Sequence, residues 1–441
     1  MLNVTTSAQS KSTEKLSSGY KINRAADDAA GLSISEKMRK QIKGLDKASS
    51  NAQDGVSAVQ TAEGALTEVH SMLQRMNELA TQAANGTNSE SDRSSIQDEI
   101  DQLTTEIDRV SETTKFNETY LLKGQSGTTN KYMAAHDAGF DGTLVDGDTK
   151  ATFTMKIKAG ESLKIGGTNY DIYATGSGVS DLQTEVGKLT ANKEVTIDGT
   201  KYTVVDKAQV DEKANKLEAS TIAAKIQAGS TVNLTPTDAS KAVKAVDTSK
   251  PTSIDVATAT QKVTAELQAA NDIGAADGKS TVTAGTATAD GTIEFAIQKG
   301  HASVANTLSF NLHVGADADS TNKITVNIDS MSTAGLGIKG LNVKDSTGTA
   351  ATYAIDAIAD AISTVSSQRS SLGAVQNRLE HTINNLDNVS ENTTSAESRI
   401  RDTDLAKEMV NYSKNNILAQ AGQSMLAQAN QSNQGVLSLL Q

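Results

Sequence analysis

The sequence predicts a mainly α fold: an elongated helical bundle or coiled-coil rod formed by both chain ends, with an inserted α+β domain rich in β-hairpins. Three observations carry this. Between Ile355 and Val389, apolar residues stand at Ile355, Ile358, Ile362, Val365, Leu372, Leu379, Ile383 and Leu386, with Val375 one place off the register. Steps of three and four place them on one narrow seam of a helix about 50 Å long at 1.5 Å per residue. A matching seam lies near the other end of the chain, in Val56, Val59, Leu66, Val69, Leu73, Met76 and Leu79 and again in Ile96, Ile100, Leu103, Ile107 and Val110. Between Lys115 and Ser309 the texture changes to Gly, Thr, Asp and Lys with apolar residues in alternation, the period of half-buried strands.

Composition favours a slender body. Aromatics are 3% of 441 residues, Trp is absent, and the 37% hydrophobic fraction leans on Ala. Cores of Ala, Leu, Ile and Val without rings suit helices whose backbones approach closely. The absence of Cys excludes disulfides and thiolate metal sites. A net charge of −12 argues against nucleic acid as a partner. The stretch from Lys11 to Lys47 has nine basic residues against five acidic ones, but no ring-rich surface on which bases could stack. No segment reads as a cleaved leader or a membrane span, so no membrane partner is expected, and export, if it occurs, is expected to use another route.

In chain order, residues 1 to about 45 show only thin apolar marks at Leu16, Ile22, Leu32, Ile34, Met38 and Ile42, so this segment is expected to order fully only against other chains. The first strong helix runs from Asn51 to near Ala84. NGTNSESD then offers Thr87 with Glu90, and Ser89 with Asp92, as capping pairs for a second helix that must run back along the first. Phe153, Met155 and Ile157 alternate with polar residues. Leu163 and Ile165 lead through Gly166-Gly167 to Tyr170 and Ile172, and Val195 and Ile197 lead through Asp198-Gly199 to Tyr202 and Val204, both at hairpin spacing. Helical patches are expected at Val205 to Ala228 and Val256 to Ile273, with 228–255 and 274–292 as loops. LSFNLHV and NKITVNI form a further hairpin that returns the chain to the rod, and Ile400 to Gln441 is a second weakly amphipathic terminal helix.

Catalytic patterns are missing. His70, His136, His301, His313 and His381 lack a second ligand at zinc-site spacing, and neither HExxH, GxSxG, a P-loop nor a strand-flanked GxGxxG occurs. DGTLVDGD, ending at Asp148, and DADS, from Asp317, do not fit the twelve-residue calcium loop with its terminal Glu. No catalytic residue, cofactor or metal is expected.

The ends carry a resemblance. LSSGYKINRAADDAAGLSISEKM from Leu16 to Met38, followed by NAQDGVSAVQTAEGALTEV, resembles the amino-terminal signature of bacterial flagellin, and TTSAESRIRDTDLAKEM from Thr393 to Met409, followed by ILAQAGQSMLAQANQ, resembles its carboxy-terminal signature. LHVGADADSTNKITVNI is similar to the hairpin in the helical middle region of that family. The resemblance covers about 1–135 and 306–441. It implies a structural, exported subunit, extracellular in the flagellum, that polymerises for motility: 1–45 and 396–441 as terminal helices of the filament inner core, 46–135 and 306–395 as a rod with a hairpin, 136–305 as a variable outward-facing part. The implied partners are other subunits, the export apparatus, an export chaperone, a cap protein and the host Toll-like receptor 5. Receptor recognition falls by resemblance on Arg75, Leu79 and Glu99. The residues alone leave Arg75 and Glu99 equally readable as solvated charges and Leu79 as core. The assembly seam falls on Leu73, Ile100, Leu103, Ile362, Leu372, Leu379, Ile383 and Leu386. Flagellins carry a further short helical stretch before the position of Leu2, so the inner-core helix at that end is expected to be shortened here. The competing identities are a hook-filament junction protein, which shares the terminal helices, and a secreted adhesin or enzyme carried on a flagellin frame.

Overall fold

The computed structural model describes residues 2–174, 177–236, 242–247, 250–288, 290–345 and 347–439. The helices are α1 (Leu2–Ser18), α2 (Ala29–Ala83), α3 (Glu90–Thr113), α4 (Val179–Gly187), α5 (Ala219–Ala223), α6 (Val256–Asn271), α7 (Thr333–Leu336), α8 (Thr349–Arg401) and α9 (Leu405–Leu439). The chain divides into two compact units, one of residues 1–60, 309–326 and 371–441, the other of 61–308 and 327–370.

In the first unit α1 lies against α9. The terminal segments, expected to order only against other chains, are therefore helical within this chain, because each supplies the other with a neighbour. Leu45, Ala48 and Leu386 pack with Ala316, and Ala52 and Leu379 pack with Val314 and Ile324. The hairpin of Leu308–His313 and Lys323–Ile328 thus sits on α2 and α8. Two helical glycines make room for it. A Cβ on Gly55 would stand 2.2 Å from Leu312 Cδ1, and one on Gly44 would stand 2.9 Å from Ala316 Cβ. A side chain at Gly55 would have to displace the end of the Leu312 side chain.

In the second unit the seam of α2 continues through Leu66, Val69, Leu73, Met76, Ala80 and Ala83, each fully buried, at steps of three and four. Ser89 caps α3: its side chain accepts from Asp92 N while the Asp92 carboxylate accepts from Ser89 N at 2.9 Å, the second of the two expected capping pairs. Polar side chains then fasten the segment before α8. Gln97, buried, donates to Leu341 O and accepts from Val343 N, and Asp108 accepts from Thr333 N and its hydroxyl. Asp345 accepts from the amides of Gly348, Thr349 and Ala350 and so starts α8. Burial alone would raise the Asp345 carboxyl, but the Thr347 hydroxyl and these amides together hold it below the usual range.

Among the described residues of this unit two larger cores stand apart from the helical seam, besides a small cluster of Met133, Ala275, Ala302 and Val304. In one, an antiparallel sheet in the order Thr281–Ala284, Thr292–Gln298, Lys150–Lys156, Thr143–Asp146 packs Phe153, Phe295, Met155 and Ile297 against Ala259, Val263 and Leu267 of α6. In the other, a five-stranded sheet meets α4 and α5 through Leu182, Val186, Val195, Ile197, Ile222 and Val232. The expected Gly-Gly and Asp-Gly hairpins are both present, as Ser162–Ile165 with Thr168–Tyr173 and Glu194–Ile197 with Thr200–Val204. The helix expected over Val205 to Ala228 is not. That stretch forms two 3₁₀ turns, the strand Lys216–Leu217 and only the short α5, because Asn215 takes a left-handed conformation (φ 52°) that interrupts any helix. The stretches expected as loops carry the short strands Thr231–Asn233, Val243–Lys244, Ser253–Asp255 and Thr281–Ala284, whose two to four residues are too few to display an alternation.

Candidate assembly surface and rod face

Over its described residues α9 is only thinly covered by its own chain. Leu405, Met409, Val410, Ile417, Leu418, Met425 and Leu426 are all exposed, between 49% and 68%. They recur as adjacent pairs, 409/410, 417/418 and 425/426. Eight residues advance an α-helix by about 80° beyond two full turns, so the pairs wind round the helix instead of forming one stripe. Apolar pairs spread round a helix in this way need neighbours on more than one side of it.

Where α1 gives way to α2 and α8 to α9, the two breaks are joined. Lys21 N donates to Arg401 O at 2.6 Å and Thr403 N to Gly19 O at 3.0 Å, making a short antiparallel bridge. The Arg401 guanidinium stacks 4.6 Å from the Tyr20 ring centre and reaches Glu36 at 3.2 Å. Sequence reasoning missed this clasp; a Gly19-Tyr20 step opposite an Asp402-Thr403-Asp404 run was its only local signal.

The expected seam residues divide by depth. Leu73, Ile100, Leu372 and Leu379 are fully buried and Leu386 is 8% exposed, whereas Leu103, Ile362 and Ile383 are half-buried. On the surface of α2 and α3, Arg75 Nε donates to Glu99 at 2.9 Å and its Nη1 to Glu78 at 3.2 Å. The Glu99 bond is the main reason the guanidinium holds its proton more tightly than usual. Arg75 and Glu99 present half-exposed side chains, whereas Leu79 is 2% exposed and belongs to the core.

Among the described residues no group of three or more His, Asp or Glu could hold a metal, and no helix is long and apolar enough to cross a membrane. A cleft of about 370 Å³ is lined by Lys131, His136, Asp146, Lys299 and Asp360; Lys131 donates to Gly335 O at 2.6 Å, and the other charges face one another. Lys299 binds Asp146 at 2.9 Å and Gly147 O at 3.1 Å, and His136 faces Asp360 at 3.6 Å.

The family pattern for the bacterial flagellin N-terminal helical region matches residues 1–127, and that for the bacterial flagellin C-terminal helical region matches residues 355–440. A flagellin of Clostridium tyrobutyricum is 43% identical over 98% of this chain and 96% of its own length. A flagellin of Bacillus subtilis is 37% identical over 98% and 93%, and polar flagellin A of Vibrio parahaemolyticus 33% identical over 100% and 95%. With both ends matched and the relatives aligned through the insert as well, the chain belongs to the bacterial flagellin family, structural proteins of the flagellar filament rather than enzymes.

Proposed function

We propose that this chain is exported, placed outside the cell, and polymerised through α1 and α9, with the export apparatus, an export chaperone and a cap protein as its partners on the way. The observation that carries the reading is the winding apolar surface of α9, exposed through Leu405, Val410, Ile417, Leu418 and Leu426. One chain leaves it uncovered, and burying it against copies of itself removes that apolar area from water. The half-buried Leu103, Ile362 and Ile383 serve as the subunit-facing margin of the rod seam, with Leu73, Ile100, Leu372, Leu379 and Leu386 as its interior. Residues 136–305 form the outward-facing part. The test is seeded polymerisation of wild type and of Leu418→Asp, followed by sedimentation and negative-stain microscopy. Filaments from wild type and none from the variant are expected; equal assembly of both would remove α9 from the contact.

A second reading concerns recognition by Toll-like receptor 5. It is favoured by the exposed Arg75, which is fixed by two carboxylates and keeps a planar face available, as an interface anchor requires. Here Arg75 and Glu99 meet the receptor directly, while Leu79 supports their helix from within the core. Receptor-ectodomain binding to monomeric wild type, Arg75→Ala and Glu99→Ala, with circular dichroism as the folding control, checks it. Unchanged affinity in both variants would move the site elsewhere.

A further inference from the structure

The described methionines divide by exposure. Met76 and Met331 are fully buried, Met133 and Met155 lie in cores, and Met38 and Met72 are half-buried. Met409 and Met425 stand apart at 53% and 68% exposed, both on α9 and both within the apolar pairs that wind round it. A thioether reacts with a peroxide only when the oxidant can approach the sulfur directly, so exposure sorts these residues by reactivity.

We propose that Met409 and Met425 form an oxidation site through which peroxide-class oxidants block assembly; this rests on the reading of α9 as the assembly surface. The sulfur lone pair attacks one peroxide oxygen. An S–O bond forms as the O–O bond breaks, the sulfur loses two electrons, and the peroxide is reduced to water with its own protons. The product has no hydrogen to donate and carries a strongly accepting oxygen. Covered by an apolar neighbour, that oxygen is buried without a partner, which opposes the contact.

Placement makes the pair effective. Sixteen residues separate the two sulfurs along the sequence, about 24 Å along the helix and about 160° around it. Different neighbours therefore cover them, and oxidation of both interrupts two contacts. Leu in either place keeps nearly the same apolar volume and cannot take up oxygen. Once assembled, the two residues are covered, so the site belongs to the free subunit.

The experiment treats full-length monomer with hydrogen peroxide, maps sulfoxide by peptide mass spectrometry over time, and then measures seeded polymerisation. Met409 and Met425 should oxidise at least about tenfold faster than Met76 and Met331. The critical concentration of the oxidised monomer should rise at least about tenfold, while that of Met409→Leu/Met425→Leu, measured against its own untreated value, should not change with peroxide. Earlier reaction at Met38 or Met72 would overturn the site. Normal assembly of monomer oxidised at both positions, or equal loss of assembly in the double variant, would overturn the block. If untreated wild type does not assemble at all, the assembly reading fails and the block with it, whereas the order of oxidation in the monomer still decides the site on its own.

Discussion

Arg93→Met should be among the most damaging single changes in the chain, and its cost can be worked from the surroundings. The Arg93 side chain is buried between the end of α2, the first turn of α3 and the segment leading to α8. Its guanidinium donates to Ala83 O at 2.8 Å, Asn85 O at 3.2 Å and Asp345 O at 3.1 Å. Ala83 O belongs to the last turn of α2, where carbonyls have no partner within the helix and a positive charge is favoured. Met fills most of the stem's volume but donates nothing. A hydrogen bond to a charged group contributes about 1.5–3 kcal/mol, and an orphaned buried acceptor costs about 1–3 kcal/mol. Asn85 is exposed and water can replace its partner, so the loss falls mainly on Ala83 O and Asp345 O. Together these give a destabilisation of roughly 3–5 kcal/mol. Urea denaturation of monomer followed at 222 nm would measure it, with hydrogen exchange across Asp345 to Ala350 as a local readout. Arg93→Lys, which keeps charge but not the fork, should fall between the two. A midpoint for Arg93→Met equivalent to less than about 0.5 kcal/mol would refute the clamp.

Gly55→Val should lower the melting temperature of the first unit, since even its Cβ would stand 2.2 Å from Leu312 Cδ1; calorimetry of the variant against Gly55→Ala, expected to be milder, checks this. Leu379→Asp places an unpaired carboxylate in a fully buried position beside Ala52 and Ile324 and should cost about 4 kcal/mol or more, read by the same denaturation. Replacing 136–305 with a short Gly/Ser linker should leave cooperative helical melting, because the cores at Ala52 and Leu386 contain no residue of that stretch; loss of helicity would show the boundary to be misplaced. The Asp290 carboxyl is held at about 2, chiefly by the Thr288 hydroxyl and then by Thr292. A carboxyl lowered by folding steadies its turn above its unfolded value near 4 and loses that effect as pH falls through 2. Two-dimensional NMR should give a midpoint near 2 that rises in Thr288→Ala; a midpoint near 4 in wild type would contradict the turn geometry.

How much of this was legible in the sequence depended on the length over which a pattern repeats. The seams of α2, α3 and α8 persist for many turns, so their existence could be read from Leu66, Leu73, Ile100 and Leu379 alone, although α2 begins at Ala29 and not near Asn51. The thin apolar marks before Asn51 concealed that extension: Leu45 and Ala48 are buried against Leu386, a partner more than 330 positions away. Hairpins with Gly-Gly or Asp-Gly turns were legible because turn chemistry is local. The strands Thr231–Asn233 and Val243–Lys244 were not, since their pairing is set by neighbours across the sheet and not by their own two or three residues. The same limit applied to the rod face. Arg75 and Glu99 could be placed on the surface by periodicity, but that Leu79 turns inward beside them needed the packing of α2.

The breaks between the long helices show how local chemistry and long-range pairing divide the work. The chain holds 2 Pro residues, Pro236 and Pro251, and neither lies in a helix. α8 nevertheless stops at Arg401 and α9 starts at Leu405: Asp404 accepts from Lys407 N at 3.1 Å and so caps the first turn of α9, while the Asp402 carboxylate accepts from the Ser398 hydroxyl at 2.6 Å. On the other strand of the clasp, Gly19 takes the left-handed conformation (φ 76°) that ends α1. Each break frees amides and carbonyls, and the freed groups of one break satisfy those of the other through Lys21 N to Arg401 O and Thr403 N to Gly19 O. Two interruptions that would each be costly alone are therefore mutually stabilising. The Arg401–Tyr20 stack covers the same bridge with an apolar ring and a fixed charge. A chain lacking either break would lose this bridge, so the stretches GYKINRAADDAAG and RIRDTDLA act as one pairing that holds the start of α2 beside the start of α9.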